Sequence, residues 1–149
     1  MDKAPVRAQR FLAVTANPHA TDAAQAILVR GGSAVDAAIA AQLVLGLVEP
    51  QSSGIGGGAF MLVHDARRSR LHAYDGRETA PAAASAGRFL KPDGTPMAFR
   101  EAVATGLAVG VPGVVRMLGL AHAKHGRLAW AELFAPAIMS VCPSKRPIM

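Results

Sequence analysis

Residues 47–60 read Leu47-Val-Glu-Pro-Gln-Ser-Ser-Gly-Ile-Gly-Gly-Gly-Ala-Phe60 and place four glycines within the five positions from Gly54 to Gly58. An apolar run precedes this glycine loop and ends at Glu49-Pro50, because the residue before a proline resists helical geometry. After the loop, Ala59 to His64 and Arg70 to Tyr74 are interpreted as two strands of a hairpin. This part of the chain therefore predicts a helix, a glycine loop and a hairpin, in that order.

Two helices and a short strand are predicted before the glycine loop. Phe11 to Ala16 is a short apolar run typical of a buried strand. Thr21 is predicted to cap a first helix that runs to Arg30. Ser33 begins the second helix, and Ser33-x-x-Asp36 resembles a capping box with Asp in place of Glu. The second helix is apolar almost all round, so we expect neighbours on several of its faces.

A further strand and two helices are predicted after the hairpin. Thr105 to Val109 is interpreted as a strand. Pro112 suits the first position of a helix that Gly126 ends. A short helix is predicted from Trp130, and Pro136 is expected to break it and to begin another. The chain as a whole is therefore expected to have a mixed α+β fold.

The composition is that of one globular domain. The chain has 149 residues, 51% of them hydrophobic and 17% charged, which excludes a disordered chain. Its net charge of +6 comes from basic residues spread along the chain, and the one tight cluster, Arg67-Arg68-x-Arg70, has no interleaved aromatic residue. We therefore predict no nucleic-acid partner. The longest apolar stretch, 37–48, is too short to span a bilayer, and the N-terminal residues lack the apolar segment of a signal peptide.

Metal and disulfide chemistry are not indicated. The single cysteine, Cys142, cannot form an internal disulfide. His122 and His125 are interpreted as part of a polar helix face, because two histidines alone rarely make a metal site. Asp36 is interpreted as a helix cap rather than a catalytic acid. We predict no metal and no cofactor.

Arg77 is the strongest single candidate for a binding residue. It lies in Asp75-Gly-Arg-Glu-Thr-Ala-Pro81, between two acidic neighbours. Arginine binds a carboxylate through two parallel hydrogen bonds, which fixes the orientation of the ligand as well as adding attraction. The alternative is a structural ion pair with Asp75 or Glu78. The residues alone leave both interpretations open.

The glycine loop also has two open interpretations. Gly54-Ile-Gly56-Gly57-Gly58-Ala59 formally fits a dinucleotide fingerprint, but it follows a helix and opens a strand, which is the reverse of the required context. No Gly-Lys-Ser/Thr follows, so a phosphate-binding P-loop is excluded too. The glycines either form a tight turn that needs positive φ or let a ligand approach backbone amides. Gly54, Gly56, Gly57 and Gly58 are thus possible site residues.

Five motifs in order along the chain carry a resemblance to a known family. They are Gly31-Gly-x-Ala-Val-Asp-Ala-Ala38, Glu49-Pro-x-Ser-x-Gly-Ile-Gly-Gly-Gly58, Asp75-Gly-Arg-Glu-Thr-Ala-Pro81, Val109-Gly-Val-Pro-Gly113 and Trp130-Ala-Glu-Leu-Phe-Ala-Pro136. From about Val14 to Met139 the chain resembles the N-terminal part of gamma-glutamyltranspeptidases, also called glutathione hydrolases.

The resemblance implies the N-terminal-nucleophile hydrolase fold, an αββα sandwich of which this chain would be an incomplete part. It also implies a precursor that cleaves itself into a large and a small subunit. The new N-terminal threonine of the small subunit attacks the gamma-glutamyl amide of glutathione, and its own amine acts as base. The gamma-glutamyl group then passes to water or to an amino acid. In the family, the arginine at the position of Arg77 binds the substrate's alpha-carboxylate.

The chain departs from the family in its catalytic half. The family nucleophile begins a Thr-Thr-His segment, and none of the threonines here is followed by Thr-His. After Ile138 the family continues with an acidic helix, whereas this chain continues Met-Ser-Val-Cys-Pro-Ser-Lys-Arg-Pro, which fits a shifted reading frame or a truncated gene. We therefore expect an N-terminal tail (1–10), a partial large-subunit domain (11–139) and a divergent C-terminal tail (140–149).

The expected function follows from that resemblance. The chain is predicted to be a large-subunit fragment with no catalytic residue of its own, inactive without the missing small subunit. Two alternatives stay open: a fragment of a cephalosporin acylase of the same fold, and a non-catalytic remnant that binds glutamate or glutathione. Family members are often periplasmic or secreted, and the sequence does not fix the compartment.

Overall fold

The computed structural model of the protein describes residues 4–141. Cys142 and nearly all of the predicted C-terminal tail lie outside the described residues. The helices and strands follow in the order α1 (Pro18–Val29), α2 (Ala34–Val48), β1 (Phe60–Asp65), β2 (Arg70–Asp75), α3 (Phe99–Val103), α4 (Val114–His125) and α5 (Ala135–Val141). Short 3-10 turns occupy Gly106–Ala108 and Trp130–Phe134.

The first helix begins three residues before the predicted cap. Asn17 is the N-cap of α1, and its side chain accepts a hydrogen bond from the His19 amide at 3.1 Å. Pro18 occupies the first turn, where its missing N–H costs nothing. Thr21 therefore lies inside the helix, with its hydroxyl 2.8 Å from that of Thr15. The prediction of Thr21 as cap was wrong because Asn17-Pro18 is itself a helix start.

The predicted strand from Phe11 to Ala16 is not formed. These residues have no regular secondary structure, although their burial alternates along the segment as it does in a strand. A strand also needs a ladder of hydrogen bonds to a neighbour, and within residues 4–141 the sheet consists of β1 and β2 alone. The segment instead lies along α1 and α2, where Leu12 and Val14 are exposed.

Helix α2 forms the centre of the core. Ser33 caps it, and the predicted capping box with Asp36 is present. Ile39, Ala40 and Val44 are buried, and α2 contacts α1, α4, α5 and the 3-10 turn at Trp130–Phe134. The expectation that this apolar helix is covered on several faces is therefore confirmed. Burial of its aliphatic side chains, each about 1.5–3 kcal/mol, makes α2 the main organising element.

The predicted hairpin is confirmed within one residue at each end. Strands β1 and β2 pair antiparallel, with Val63 opposite His72. On one face, Met61, Val63 and Tyr74 pack against the core. On the other face, Phe60 and Leu62 are about two-thirds exposed. The hairpin thus covers α4 with one face and presents an apolar surface with the other.

The segment before α4 differs from its prediction. Thr105 to Val109 is not a strand, because the Thr105 hydroxyl accepts a hydrogen bond from the Leu107 amide and begins a 3-10 turn. Helix α4 begins at Val114 rather than at Pro112, because its first i→i+4 hydrogen bond runs from the Met117 amide to the Gly113 carbonyl oxygen, at 2.9 Å, which makes Gly113 the N-cap. Gly126 ends α4 as predicted.

The last two elements agree with the sequence. The 3-10 turn begins at Trp130, as the predicted short helix does. Helix α5 begins at Ala135 and contains Pro136 in its first turn. The proline thus separates two elements, because its ring and missing N–H are tolerated only at a helix start.

Candidate functional site

Three loops that are distant in sequence meet beside the hairpin. The glycine loop joins the residues after β2 through two bonds between Ala59 and Gly76, at 2.9 and 3.3 Å. The residues after β2 join the segment before α4 through the Val111 amide, which donates to the Thr79 carbonyl at 2.9 Å. The Gly113 amide donates back to the Gly57 carbonyl at 3.1 Å. Three of the five sequence motifs therefore form one continuous backbone network.

This junction leaves no room for side chains at two glycines. A Cβ on Gly58 would lie 2.6 Å from Glu78 Oε2 and 2.7 Å from Arg77 Cα. A Cβ on Gly113 would overlap the Gly76 carbonyl group and lie 2.8 Å from its carbon atom. Such distances are far inside van der Waals contact. Glycine is therefore required at these two positions, because the backbone of the neighbouring loop lies too close for a side chain.

The four glycines of the loop do not behave alike. None has positive φ; in the described part of the chain, that conformation occurs among glycines only at Gly31 and Gly94. The interpretation as a turn that needs positive φ is therefore wrong. A Cβ on Gly57 would come 3.3 Å from Glu78, whereas Gly54 and Gly56 have open space around them.

The backbone of Arg77 is fixed by a hydrogen bond, whereas its side chain is exposed. Its amide donates to Asp75 Oδ1 at 2.9 Å, which fixes the turn after β2. Its side chain is 59% exposed, and Nη1 lies 3.1 Å from Glu78 Oε2. Of the two acidic neighbours, Glu78 thus makes the ion pair that the sequence left open. The Arg77 side of this pair faces solvent and only Nη1 is engaged, so the other donors of the guanidinium are available to a ligand.

Two cavities lie on either side of Glu78. One of about 570 Å³ is lined by Arg77, by the loop after it and by residues 107–110. The other, of about 480 Å³, is lined by the glycine loop, Gln42 and Ser52-Ser53. Glu78 lines both. Arg77 and the glycine loop therefore face different cavities.

Glu78 was not singled out by the sequence. Its side chain is 30% exposed, but Oε2 is buried and accepts no well-directed hydrogen bond from residues 4–141. The available signal was its place directly after Arg77 in a Gly-Arg-Glu run. Buried polar atoms without a well-directed hydrogen bond are rare in folded proteins, and this one lies between the two cavities that Arg77 and the glycine loop line.

Asp36 joins elements that are far apart in sequence. It is fully buried, and its Oδ2 accepts from the amides of Ser33 (2.8 Å), Arg127 (2.9 Å) and Leu128 (3.2 Å). Burial raises the pKa of Asp36, but these amides and the Ser33 hydroxyl outweigh it and hold the pKa below its ordinary value. Asp36 is thus a cap, as predicted, and also a tertiary link.

The two histidines of α4 point to different partners. His122 Nε2 lies 2.9 Å from the Leu128 carbonyl oxygen and 3.6 Å from Asp36 Oδ1. His125 Nε2 lies 2.9 Å from the Tyr74 hydroxyl. The interpretation as a shared polar face is wrong for His122, whose side chain is only 18% exposed. Residues 4–141 contain no cluster of three or more groups suited to hold a metal ion.

The longest of the described helices, α2, has 15 residues. None of those between residues 4 and 141 combines the length and apolar character needed to cross a bilayer.

Comparison with known proteins places these features in a family. The family model described as gamma-glutamyltranspeptidase matches residues 20–141. The chain is 42% identical over 127 residues to the glutathione hydrolase proenzyme of Bacillus subtilis, a match that covers 85% of this chain and 22% of that protein. The chain therefore spans about a fifth of the length of this relative.

Solved structures agree with that match. Gamma-glutamyltranspeptidase of Helicobacter pylori superposes with a TM-score of 0.84 at 34% identity, over 91% of this chain and 38% of that one. Cephalosporin acylase of Bacillus halodurans superposes with a TM-score of 0.71 at 28% identity, over 100% of this chain and 28% of that one. The fold is thus part of an N-terminal-nucleophile hydrolase sandwich. The chain belongs to the gamma-glutamyltranspeptidase family.

Proposed function

We propose that this chain supplies the carboxylate-binding part of a gamma-glutamyl-transfer site, and that Arg77 binds the alpha-carboxylate of a gamma-glutamyl substrate such as glutathione. One observation carries the proposal: the exposed Arg77 side chain lines a cavity while the Arg77 backbone is fixed by Asp75. Family membership supports the substrate class.

The geometry explains how Arg77 receives a carboxylate. A guanidinium has five N–H donors, and the contact with Glu78 involves Nη1 alone. The other donors are available to two oxygens of one carboxylate, which bind in parallel. The close packing at Gly58 and Gly113 fixes the backbone on both sides of Arg77, so little ordering is needed when the ligand binds.

The nucleophile is proposed to come from another segment. The 149 residues contain no Thr-Thr-His, and acyl transfer requires an activated nucleophile. In this proposal residues 11–139 form the large-subunit domain, residues 140–149 a divergent tail, and a small subunit supplies the threonine. Gly57 and Gly58 then act indirectly, because Glu78 packs against them, whereas the backbone at Gly54 and Gly56 has open space for a ligand.

We expect replacement of Arg77 by glutamine to weaken glutathione binding by about 10- to 100-fold, since hydrogen bonds to charged groups contribute about 1.5–3 kcal/mol. The glutathione affinity of Arg77→Lys should lie between those of the wild-type chain and Arg77→Gln, because an ammonium keeps the charge but loses the planar fork. The measurement is an NMR titration of the 149-residue chain, with a gamma-glutamyl anilide assayed in parallel for turnover.

The matched control is Arg68→Gln, at the exposed end of the hairpin, where Arg68 pairs with Asp65 at 3.1 Å. This change removes the same charge without touching the cavity and should leave glutathione affinity unchanged. Equal affinities for the wild-type chain and Arg77→Gln would refute the role of Arg77. Turnover by the wild-type chain would refute the need for a second segment.

A cephalosporin acylase fragment is a second candidate, because the acylase structure superposes on the whole of this chain. Competition separates the two: a cephalosporin with an anionic acyl chain should displace bound glutathione only if the site accepts acylase substrates. A non-catalytic remnant would instead bind glutathione without turnover even when the chain is isolated together with its natural partners.

A further inference from the structure

The cavity beside Arg77 contains a second arginine. Arg88 lies in the loop between β2 and α3 and is half-buried. Its Nε donates to the Leu107 carbonyl oxygen at 2.6 Å. That bond uses one of five N–H donors and fixes the plane of the guanidinium. Between residues 4 and 141, no carboxylate lies within ion-pair distance of Arg88.

The charges that line this cavity are unequal. Arg77 and Arg88 are its two cations, and Glu78 is its acidic residue. The remaining lining is apolar or hydroxylic, as at Phe89 and Ser85. Two cationic groups with one carboxylate leave a net positive cavity of about 570 Å³. Its charge complements a ligand that carries two anionic groups joined by an uncharged section.

We propose that Arg88 binds the distal carboxylate of the gamma-glutamyl donor, at the C-terminus of the peptide that leaves, while Arg77 binds the alpha-carboxylate. This inference rests on the proposed function and names the donors of the site: gamma-glutamyl peptides with a free C-terminal carboxylate. Donors in which that carboxylate is esterified lose the contact with Arg88.

A purely structural Arg88 predicts a different result. If its role were only to hold the Leu107 carbonyl, a substitution would weaken every ligand equally or lower the stability of the chain. A carboxylate-binding Arg88 instead distinguishes a ligand with the distal carboxylate from one without it. The difference between two ligands is therefore the decisive measurement.

The test uses the 149-residue chain with glutathione and with glutathione ethyl ester, in which only the glycine carboxylate is blocked. We expect the wild-type chain to bind glutathione about tenfold more tightly than the ester, as one charge-assisted contact allows. Arg88→Gln should lose that preference and leave the affinity for the ester unchanged. Arg88→Lys should keep part of it, since the charge is retained.

Three comparisons complete the test. Arg77→Gln should weaken both ligands by the same factor, because both carry the alpha-carboxylate. Arg116→Gln removes an equal charge from an exposed position on α4 outside the cavity and should change neither. Thermal unfolding of each variant separates a loss of binding from a loss of fold, and Arg88→Lys serves where Arg88→Gln does not fold.

Two results would overturn the role of Arg88 and leave the proposed function intact. One is equal affinity of the wild-type chain for the two ligands, and the other is an equal loss of affinity for both ligands in Arg88→Gln. If Arg77→Gln leaves both affinities unchanged, the proposed function fails, whatever Arg88 does. If the wild-type chain binds neither ligand at millimolar concentration, both proposals are refuted.

Discussion

Replacing Asp36 with asparagine is expected to lower the free energy of unfolding by about 2–3 kcal/mol. The Asp36 carboxylate is fully buried and accepts three backbone amides on one oxygen, and hydrogen bonds to charged groups contribute about 1.5–3 kcal/mol each. Asparagine keeps a carbonyl oxygen for these amides but loses the charge. Urea unfolding of the two chains in one buffer measures the difference.

Asp93→Asn is the matched control. Asp93 also accepts two hydrogen bonds, from the amide and the hydroxyl of Thr95, but it lies in an exposed turn. Its replacement should change stability by no more than about 0.5 kcal/mol, as is usual for surface sites. Equal losses in Asp36→Asn and Asp93→Asn would show that the links from Asp36 to Arg127 and Leu128 add nothing.

The same carboxylate predicts a pH dependence. Burial raises the pKa of Asp36, but the amide hydrogen bonds lower it by more than burial raises it. The pKa of Asp36 in the folded chain therefore lies below the ordinary value of an aspartate. A lowered folded pKa gives stability that is complete above the unfolded pKa and is lost as pH falls through the folded pKa. The stability difference between the wild-type chain and Asp36→Asn should therefore be constant above about pH 5 and shrink below about pH 4. A difference that grows on acidification would contradict this.

Local patterns in the sequence predicted local structure well. The capping box of Ser33 and Asp36, the hairpin and the end of α4 at Gly126 all depend on residues a few positions apart. Such signals hold because the hydrogen bonds that they describe close within one helical turn or across one short hairpin loop. The predicted cap at Thr21 failed because Asn17-Pro18, a few residues earlier, is a competing local signal for a helix start.

Contacts over long distances in sequence were not predicted. Asp36 bonds to Arg127, 91 residues away, and no spacing rule connects them. The segment from Phe11 to Ala16 has the alternation of a strand, but strand formation depends on a partner that its own sequence does not specify. The structure shows that a correct local pattern is insufficient where the hydrogen bonds must come from elsewhere.

The same contrast between local and long-range signals applies to the candidate site. Arg77 was predicted because an arginine between acidic residues is a visible pattern. Arg88 was not, because Gly87-Arg88-Phe89 has no distinguishing neighbour. Only the fold brings Arg88 to Leu107 and onto the cavity of Arg77. A binding surface composed of several loops is thus predicted one loop at a time, without the relation between them.

Replacing Gly113 with alanine is expected to lower the free energy of unfolding by about 3 kcal/mol. The backbone conformation at Gly113 (φ −117°, ψ −17°) is open to alanine, so the cost is steric. The new Cβ would overlap the Gly76 carbonyl group and lie 3.0 Å from the carbonyl oxygen of Arg77. Rigid backbone cannot yield as a side chain does, which places the change at or above the usual range of about 1–3 kcal/mol for overpacking. Chemical denaturation measures the loss.

Gly119→Ala supplies the control for that prediction. Gly119 lies inside α4, and a Cβ added there would have nothing within 4 Å, so alanine should stabilise the chain by about 0.5–1 kcal/mol through helix propensity. A Gly113→Ala chain as stable as wild type would refute the close packing of the three loops. If the packing is as observed, relief of the clash must move Gly76 and with it Arg77, so glutathione binding should fall in Gly113→Ala and stay unchanged in Gly119→Ala. The two glycines of one segment thus separate the general stability of α4 from the position of Arg77.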